Sequence, residues 1–375
     1  MLSASEKKRR YSALRGVKRD AGADALVVVS RAGHGEQCGY IRYVSDFHLS
    51  SRHAYGVFVG DSDPNSEPIM VVQTPSHRWL MQDASGLADV RDRPRQVEEV
   101  GDILAGLPNP PKLVLIAGMT LAMPVADYLY LRERFPNTRF EDATVEVQRV
   151  KAIKSPEEIE LVRESCRIAD AGFRRFLEVA RPGRPELEVV AAAEEAMRKS
   201  GALDILVLIA GSNRGAYIEL PSDHVLHSGE VVNFNVECSG PSGYWVQRGG
   251  PACLGEPSRE MRKLYDDAIE AVAEGARMIK PGVVAGEVAE QFNRLIENRG
   301  HDLLHWAGHV IGLDVIDGPV LLKAERRPFE EGMVFVLEPK VADKHGNGVY
   351  LAETFVVTPN GGESFTQIPF ELHVI

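Results

Sequence analysis

Residues 329–339 read FEEGMVFVLEP and residues 350–358 read YLAETFVVT, and these two stretches decide the fold prediction. Each is an apolar, β-branched run of strand length, which is typical of a buried β-strand. One glutamate interrupts each run, Glu338 in the first and Glu353 in the second. A buried carboxylate without a partner is costly, so these glutamates either face solvent on edge strands or share a polar site.

The segments upstream of these strands complete an α+β pattern. Residues 230–237 (EVVNFNVE) alternate in strand fashion, and residues 243–247 (GYWVQ) form a second strand after a turn. Helices are predicted at about 258–279 and 284–299, because Pro281-Gly282 and Gly300 are typical stop signals. Helices grouped apart from antiparallel strands indicate an α+β domain.

The first part of the chain has a different pattern, in which helical and strand-like segments alternate. Apolar runs predict buried strands at 23–30, 54–60, 68–74 and 111–118, which indicates an α/β domain. Ser155, followed by Pro156 and by Glu158 three positions after Ser155, forms a capping-box pattern that starts a helix. We therefore predict an N-terminal α/β domain at 1–150 and a second domain at 151–375.

Composition narrows the class of protein. The chain has 375 residues, a formal charge of -11 and 44% apolar residues, which excludes a disordered or fibrous protein. The acidic balance argues against nucleic acid or an anionic membrane as partner. No apolar run reaches membrane-spanning length, and the basic start resembles no secretory signal, so we expect a cytoplasmic protein. None of the four cysteines forms a CxxC pair, which argues against a sulfur-rich zinc site.

Ionisable residues stand where packing alone would not place them. His305 and His309 are four residues apart in HWAGHVIG, and they would share a face in a helix but not in a strand. Together with Glu338 and Glu353 on separate strands, they predict one shared polar site.

Seven segments in order resemble the creatinase, prolidase and aminopeptidase P family, which has the pita-bread fold. They cover roughly 150–375, and the N-terminal part resembles the family more weakly through DALVVVS and GYIRYVSDF. The resemblance implies a creatinase/prolidase-like N-terminal α/β domain and an α+β pita-bread catalytic domain. The segments are AIKSPEEIELVRESCRIADAG, SGEVVNFNVE, GYWVQ, MIKPGVVAGEVAE, HWAGHVIGLDVIDGP, FEEGMVFVLEP and YLAETFVVTPNGGESFT.

The resemblance also implies a ligand set, because metallopeptidase members hold two divalent metals with two Asp, one His and two Glu. The His position falls on His309, and the Glu positions fall on Glu338 and Glu353. The Asp positions fall on Asn235 and Gln247, which are neutral amides. Two dications would then keep about two uncompensated positive charges, so we predict no cofactor. A single divalent metal on His309, Glu338 and Glu353 is the alternative.

Creatinase is similar in lacking a metal, and this favours a metal-independent hydrolase acting on an amide or amidine-type C–N bond of a small polar molecule. Five residues are catalytic candidates. His309 can titrate near neutrality. Glu338 and Glu353 can hold a cation or share a proton. Tyr217 aligns with the acid/base His of creatinase, and Glu237 is a replacement carboxylate beside Asn235. The five catalytic candidates are His309, Glu338, Glu353, Tyr217 and Glu237.

Five further residues are candidates for substrate binding. The amides of Asn235 and Gln247 can form hydrogen bonds. The Trp245 indole can line the site or belong to the core. His305 lies near His309 in the sequence, and Arg52 comes from the N-terminal domain. The five substrate-binding candidates are Asn235, Gln247, Trp245, His305 and Arg52.

Two other functions stay open. One is a mononuclear-metal enzyme, either an Xaa-Pro peptidase-like hydrolase or a lyase, that uses His309, Glu338 and Glu353. The other is a non-catalytic binding protein that uses the pita-bread cleft. In each case the resemblance implies a homodimer, and the partner of the enzyme is a small-molecule substrate rather than nucleic acid or membrane.

Overall fold

The structure, a computed structural model, describes residues 2–33, 35, 39–60, 63, 65–211 and 217–375. The chain divides into two compact units, Met1–Lys151 and Ala152–Ile375. No helix among the described residues is both long enough and apolar enough to cross a membrane.

The apolar runs of the first unit form a mixed six-stranded sheet in the order β4-β3-β2-β1-β5-β6, flanked by helices. β1 pairs antiparallel with β2 and parallel with β5, and its first six residues are all buried, as a strand covered on both faces requires. The predicted α/β class is confirmed. The elements are α1 (Ala4–Asp20), β1 (Ala25–Arg31), α2 (Gly39–Ser45), β2 (His53–Val59), β3 (Ile69–Val72), α3 (Pro75–Ser85), β4 (Val90–Asp92), α4 (Gln96–Ala105), β5 (Leu113–Ala117), α5 (Val125–Arg134), β6 (Arg139–Asp142) and α6 (Thr144–Ala152).

The second unit has long helices and mainly antiparallel strands, so the predicted α+β class is confirmed as well. Its main sheet has eight strands, with the path β11-β12-β15-β9-β8-β7, β16 beside β15 and β17 beside β9. The elements are α7 (Pro156–Val179), α8 (Glu186–Lys199), β7 (Asp204–Gly211), β8 (Val231–Ser239), β9 (Trp245–Cys253), α9 (Arg259–Met278), α10 (Ala285–Asn298), β10 (Asp302–Leu303), β11 (Gly308–Val310), β12 (Val334–Leu337), β13 (Lys340–Ala342), β14 (Gly348–Tyr350), β15 (Ala352–Thr358), β16 (Gly361–Ser364) and β17 (His373–Val374).

The capping box at the start of α7 is present. The Ser155 hydroxyl accepts from the Glu158 backbone N–H at 3.2 Å, and the Glu158 carboxylate accepts from the Ser155 N–H at 2.7 Å. Two of the unpaired amides at the helix start are thereby satisfied. The same carboxylate also accepts from the Tyr244 hydroxyl, which ties the helix start to the turn before β9.

The main sheet separates two environments, because successive side chains of a strand point to opposite faces. Phe335, Leu337 and Phe355 lie on the face that packs into the core with α9 and α10. Val336 and Ala352 lie on the other face, in a small cluster with Tyr350. The first face supplies the apolar core, and the second face is the one on which polar side chains of β8, β9 and β11 collect.

Ser155→Ala should lower the free energy of unfolding by about 1 kcal/mol, because one helix-terminal amide loses its acceptor. Ser155→Asp should retain most of the stability, because a carboxylate also accepts from that amide. Urea denaturation followed by circular dichroism measures both variants. Equal losses in the two variants would show that the cap contributes nothing through its side-chain oxygen.

Candidate active site

His309 and Glu338 meet on the polar face of the sheet. β11 pairs antiparallel with β12 so that His309 lies opposite Val336, and the Glu338 N–H donates to the Ala307 carbonyl at 2.8 Å just beyond the pairing. This register places His309 Nε2 3.4 Å from Glu338 Oε1. Both side chains are buried, at 2% and 6% exposure. His309 lies in a strand, so it does not share a helix face with His305.

Two aromatic residues fix the Glu338 carboxylate. The Trp306 indole N–H donates to Oε1 at 2.6 Å, and the Tyr350 hydroxyl donates to Oε2 at 2.9 Å. Sequence reasoning missed both donors, although Trp306 stands inside the quoted motif HWAGHVIG. The sequence alone does not show that an indole N–H or a phenol lies near a buried carboxylate, so neither residue could be identified as a donor before the contact was known.

The two charges support each other. Burial would raise the pKa of Glu338, but the hydrogen bond and charge of His309, with the two aromatic donors, lower it below its ordinary value. Burial would lower the pKa of His309, but Glu338 and the Val310 carbonyl, which accepts from Nδ1 at 3.2 Å, raise it instead. Because Nδ1 donates to the backbone, Nε2 is the nitrogen directed at Glu338.

Asn235, Glu237 and Gln247 lie on the same face of the sheet as His309. In the β8–β9 pair, Glu237 lies directly opposite Gln247, and Asn235 lies opposite Gly249. The Gln247 amide nitrogen is 3.5 Å from His309 Nε2. Among the described residues, Asn235 Oδ1 and Gln247 Oε1 are buried acceptors without a hydrogen-bond partner. Buried amide oxygens normally have a partner, so these two indicate a binding position.

Glu237 is the second carboxylate of this face. It accepts from the Asn235 amide at 3.2 Å. Burial, together with the negative charge of Glu338, raises the pKa of Glu237 to about 7. The sequence suggests Glu237 as a replacement carboxylate. In the structure, Glu237 lies where its charge interacts with the Glu338 carboxylate and the His309 imidazole.

The placement of Glu353 corrects the predicted site. Glu353 lies opposite Arg248 and Leu337 in the sheet register, so it points to the core face and away from His309. There Arg248 Nη1 donates to its Oε2 at 2.6 Å, the Ser364 hydroxyl donates to Oε1, and both ion-pair partners are buried. The β15 residue on the polar face is Ala352, which offers no ligand.

The remaining predicted residues make no hydrogen bond to the His309–Glu338 pair in the described part of the chain. Trp245 is buried at 1% exposure, in agreement with a place in the core, while His305 is half-buried with its ring 4.0 Å from that of Trp306. Tyr217 is 71% exposed, and residues 212–216 before it lie outside the described residues. In the first unit, Arg52 lines a cavity of about 390 Å³ with Arg31 and other residues.

Comparison with known proteins decides the family. The model of metallopeptidase family M24 matches residues 160–359, which is more than half of the chain. The chain belongs to metallopeptidase family M24.

Relatives agree with this membership. An uncharacterized peptidase of Bacillus subtilis is 30% identical over 235 residues, which cover 61% of this chain and 66% of that protein. An Xaa-Pro dipeptidase of Pyrococcus furiosus is 27% identical over 231 residues, which cover 60% of this chain and 66% of that protein. The matched segments thus span just under two thirds of these relatives. Members of a metallopeptidase family are classed as hydrolases.

Solved structures show the fold. A prolidase from Pyrococcus horikoshii OT3 superposes with a TM-score of 0.84 at 22% identity, covering 97% of this chain and 99% of that chain. An Xaa-Pro dipeptidase from Bacillus anthracis also gives 0.84, at 23% identity, covering 100% of both chains. The pita-bread fold with its N-terminal α/β domain is thereby confirmed.

Membership in a metallopeptidase family shows that the prediction of no cofactor was wrong. The donors on the polar face are too few for two metal ions. His309 Nε2, Glu338 and the two unpartnered amide oxygens are the groups that would hold a single divalent cation. A second ion lacks ligands, because the β15 residue on this face is Ala352 and Glu353 is paired with Arg248 on the other face. Within the described residues, no three His, Cys, Asp or Glu side chains are already gathered for a metal, so amide oxygens have to complete the set.

The pairing of Glu353 with Arg248 predicts a large effect on stability. Arg248→Met leaves a buried carboxylate without its counter-charge and should lower the free energy of unfolding by roughly 3–5 kcal/mol. The double variant R248M/E353L, which removes both charges, should recover most of that loss. Urea denaturation of the three proteins measures this. A single variant as stable as the parent would contradict the assignment of Glu353 to a structural pair.

Proposed function

We propose that the protein is a metal-assisted hydrolase of small peptides, with Xaa-Pro dipeptides as the substrate class. The observation that carries the proposal is the buried His309–Glu338 pair, next to two amide oxygens that have no partner among the described residues. The relatives named Xaa-Pro dipeptidases support the substrate class. This proposal replaces the metal-independent, creatinase-like hypothesis, and it keeps His309 and Glu338 from the metal alternative while dropping Glu353.

The residues of the chain hold and orient the reacting groups. When bound, a divalent ion would make a water molecule more acidic and polarise the scissile carbonyl. His309 presents Nε2 because its Nδ1 proton is committed to the Val310 carbonyl, which also fixes the ring plane. The donors Trp306 and Tyr350 hold both oxygens of Glu338 in place. Hydrolysis breaks the peptide C–N bond, with hydroxide added to the carbon and a proton to the nitrogen.

His305 is the second imidazole available to a substrate. Burial lowers the pKa of His305 below its ordinary value against the opposing charge of Glu338, which favours the neutral ring. A neutral imidazole can donate from one nitrogen and accept at the other, which suits contact with a polar group of a dipeptide. We assign His305 this substrate contact.

His309→Ala and Glu338→Gln should each lower kcat/KM for an Xaa-Pro dipeptide at least about a hundredfold in metal-supplied assays, because each removes a ligand of the activating ion. Release of free proline from Ala-Pro, with Mn²⁺, Co²⁺ or Zn²⁺ added, measures the rate. Glu363→Gln on the exposed part of β16 is the matched control and should keep the parent rate. Absence of proline release from the parent protein with all three metals would refute the proposed activity.

The cytoplasmic location and the homodimer predicted from the sequence stay predictions, as do contacts between Arg52 and a substrate. Light scattering of the purified protein tests the dimer.

A further inference from the structure

We propose that an apolar wall beside the His309–Glu338 pair selects dipeptides in which an apolar residue precedes proline. Leu208 is its specificity-determining residue, and Glu186 is a positioning residue that fixes it. This inference deepens the proposed function, on which its use in peptide hydrolysis rests. The apolar wall consists of Leu208, Ala210, Ile218, Val336 and Ala352, which cluster with Tyr350.

The sheet register places the apolar wall next to the polar side chains. Val336 lies opposite His309 in the β11–β12 pair, and Leu208 lies opposite Asn235 in the β7–β8 pair. Directly opposed residues of an antiparallel pair point to the same face, with Cβ atoms about 5 Å apart. A substrate group that reaches His309 or Asn235 therefore lies within one side-chain length of the apolar wall.

Tyr350 links the apolar wall to the Glu338 carboxylate. It belongs to the same cluster as Ile218, and its hydroxyl donates to Glu338 Oε2 at 2.9 Å. Its backbone N–H donates to Asn233 Oδ1 at 2.8 Å, which fixes β14 against β8. The position of the apolar wall relative to the carboxylate is thus set by one buried residue.

Leu208 is the accessible part of the apolar wall. Leu208 and Ala210 are half-buried, while Ile218 is 6% exposed. Ile218 is held beside β7 because its neighbour Glu219 exchanges backbone hydrogen bonds with Ile209. The wall itself is hydrocarbon, so a substrate side chain gains most from contact with it when that side chain is apolar and leaves water.

Glu186, at the start of α8, fixes the segment that carries Ile218. Its side chain is 5% exposed and accepts from the Gly211 N–H at 2.7 Å. It also accepts from the Ser222 N–H at 3.0 Å and from the Ser222 hydroxyl at 2.7 Å. One buried carboxylate thus ties the end of β7, which carries Leu208, to the residue that follows the Ile218 segment.

Substrate preference tests Leu208 separately from overall activity. We expect kcat/KM for Leu-Pro to exceed that for Gly-Pro at least about tenfold, because the leucine side chain adds several apolar carbons. Leu208→Ala should lower this ratio at least about threefold, and Leu208→Met, which conserves volume, should keep it. Leu187→Ala, at an exposed leucine of α8, is the matched control and should also keep it.

The role of Glu186 is tested by the same ratio. Glu186→Ala should lower the preference for Leu-Pro, and Glu186→Gln should retain part of it, because an amide oxygen still accepts a hydrogen bond. A purely structural role would lower the free energy of unfolding and leave the ratio unchanged. An unchanged ratio in Glu186→Ala protein that is folded by circular dichroism would therefore overturn its role as a positioning residue.

Calorimetric titration of the chelator-treated, full-length protein with each dipeptide measures the preference without turnover. Tighter binding of Leu-Pro than of Gly-Pro, lost in Leu208→Ala, would uphold the apolar wall even if neither dipeptide released proline, a result that would refute the proposed hydrolysis alone. Proline release with equal kcat/KM for both dipeptides, or with an unchanged ratio in folded Leu208→Ala, would overturn the inference alone. Neither a binding preference nor proline release would refute both.

Discussion

Alternation of side chains between the two faces of the main sheet is the constraint on which the site depends. Residues directly opposite in an antiparallel pair point to the same side, so the register of β8, β9, β15 and β12 assigns every polar residue to one face. His309, Glu338 and Glu237 fall on one side, while Arg248 and Glu353 fall on the other. A shift of one residue in β15 would exchange Ala352 and Glu353 and would change the ligand set.

Each face of the sheet contains a buried carboxylate, and the two carboxylates are stabilised in different ways. On the core face, Glu353 receives a guanidinium and a hydroxyl from the protein itself, and the guanidinium also stacks between Phe173 and Phe370. On the polar face, Glu338 has two aromatic donors and an imidazole, while nearby amide oxygens have no partner among the described residues. The first arrangement is closed and structural. The second arrangement leaves oxygen acceptors that a cation could bind, as a functional site requires.

Both the family and the side chains of this chain bear on how many metal ions the site can hold. Membership in metallopeptidase family M24 contradicts a cofactor-free protein. The polar face of this chain, however, carries the amides Asn235 and Gln247 and the neutral Ala352, so it offers too little negative charge for two dications. The proposed Xaa-Pro peptidase would rely on a single ion to activate water and to polarise the carbonyl, and Glu338 and His309 would hold that ion.

Periodicity and capping are local properties of a chain, so the class of each unit, the capping box at Ser155, most strands and the pair His309 and Glu338 could be predicted before the fold was known. It also drew attention to Asn235, Gln247 and Glu237, whose types are unusual in apolar strands. That Glu353 lies outside the site could be seen only in the folded chain, because the face on which a strand residue lies depends on register with strands distant in sequence. Trp306 and Tyr350 likewise became visible as donors only when the chain brought them to Glu338 across many residues.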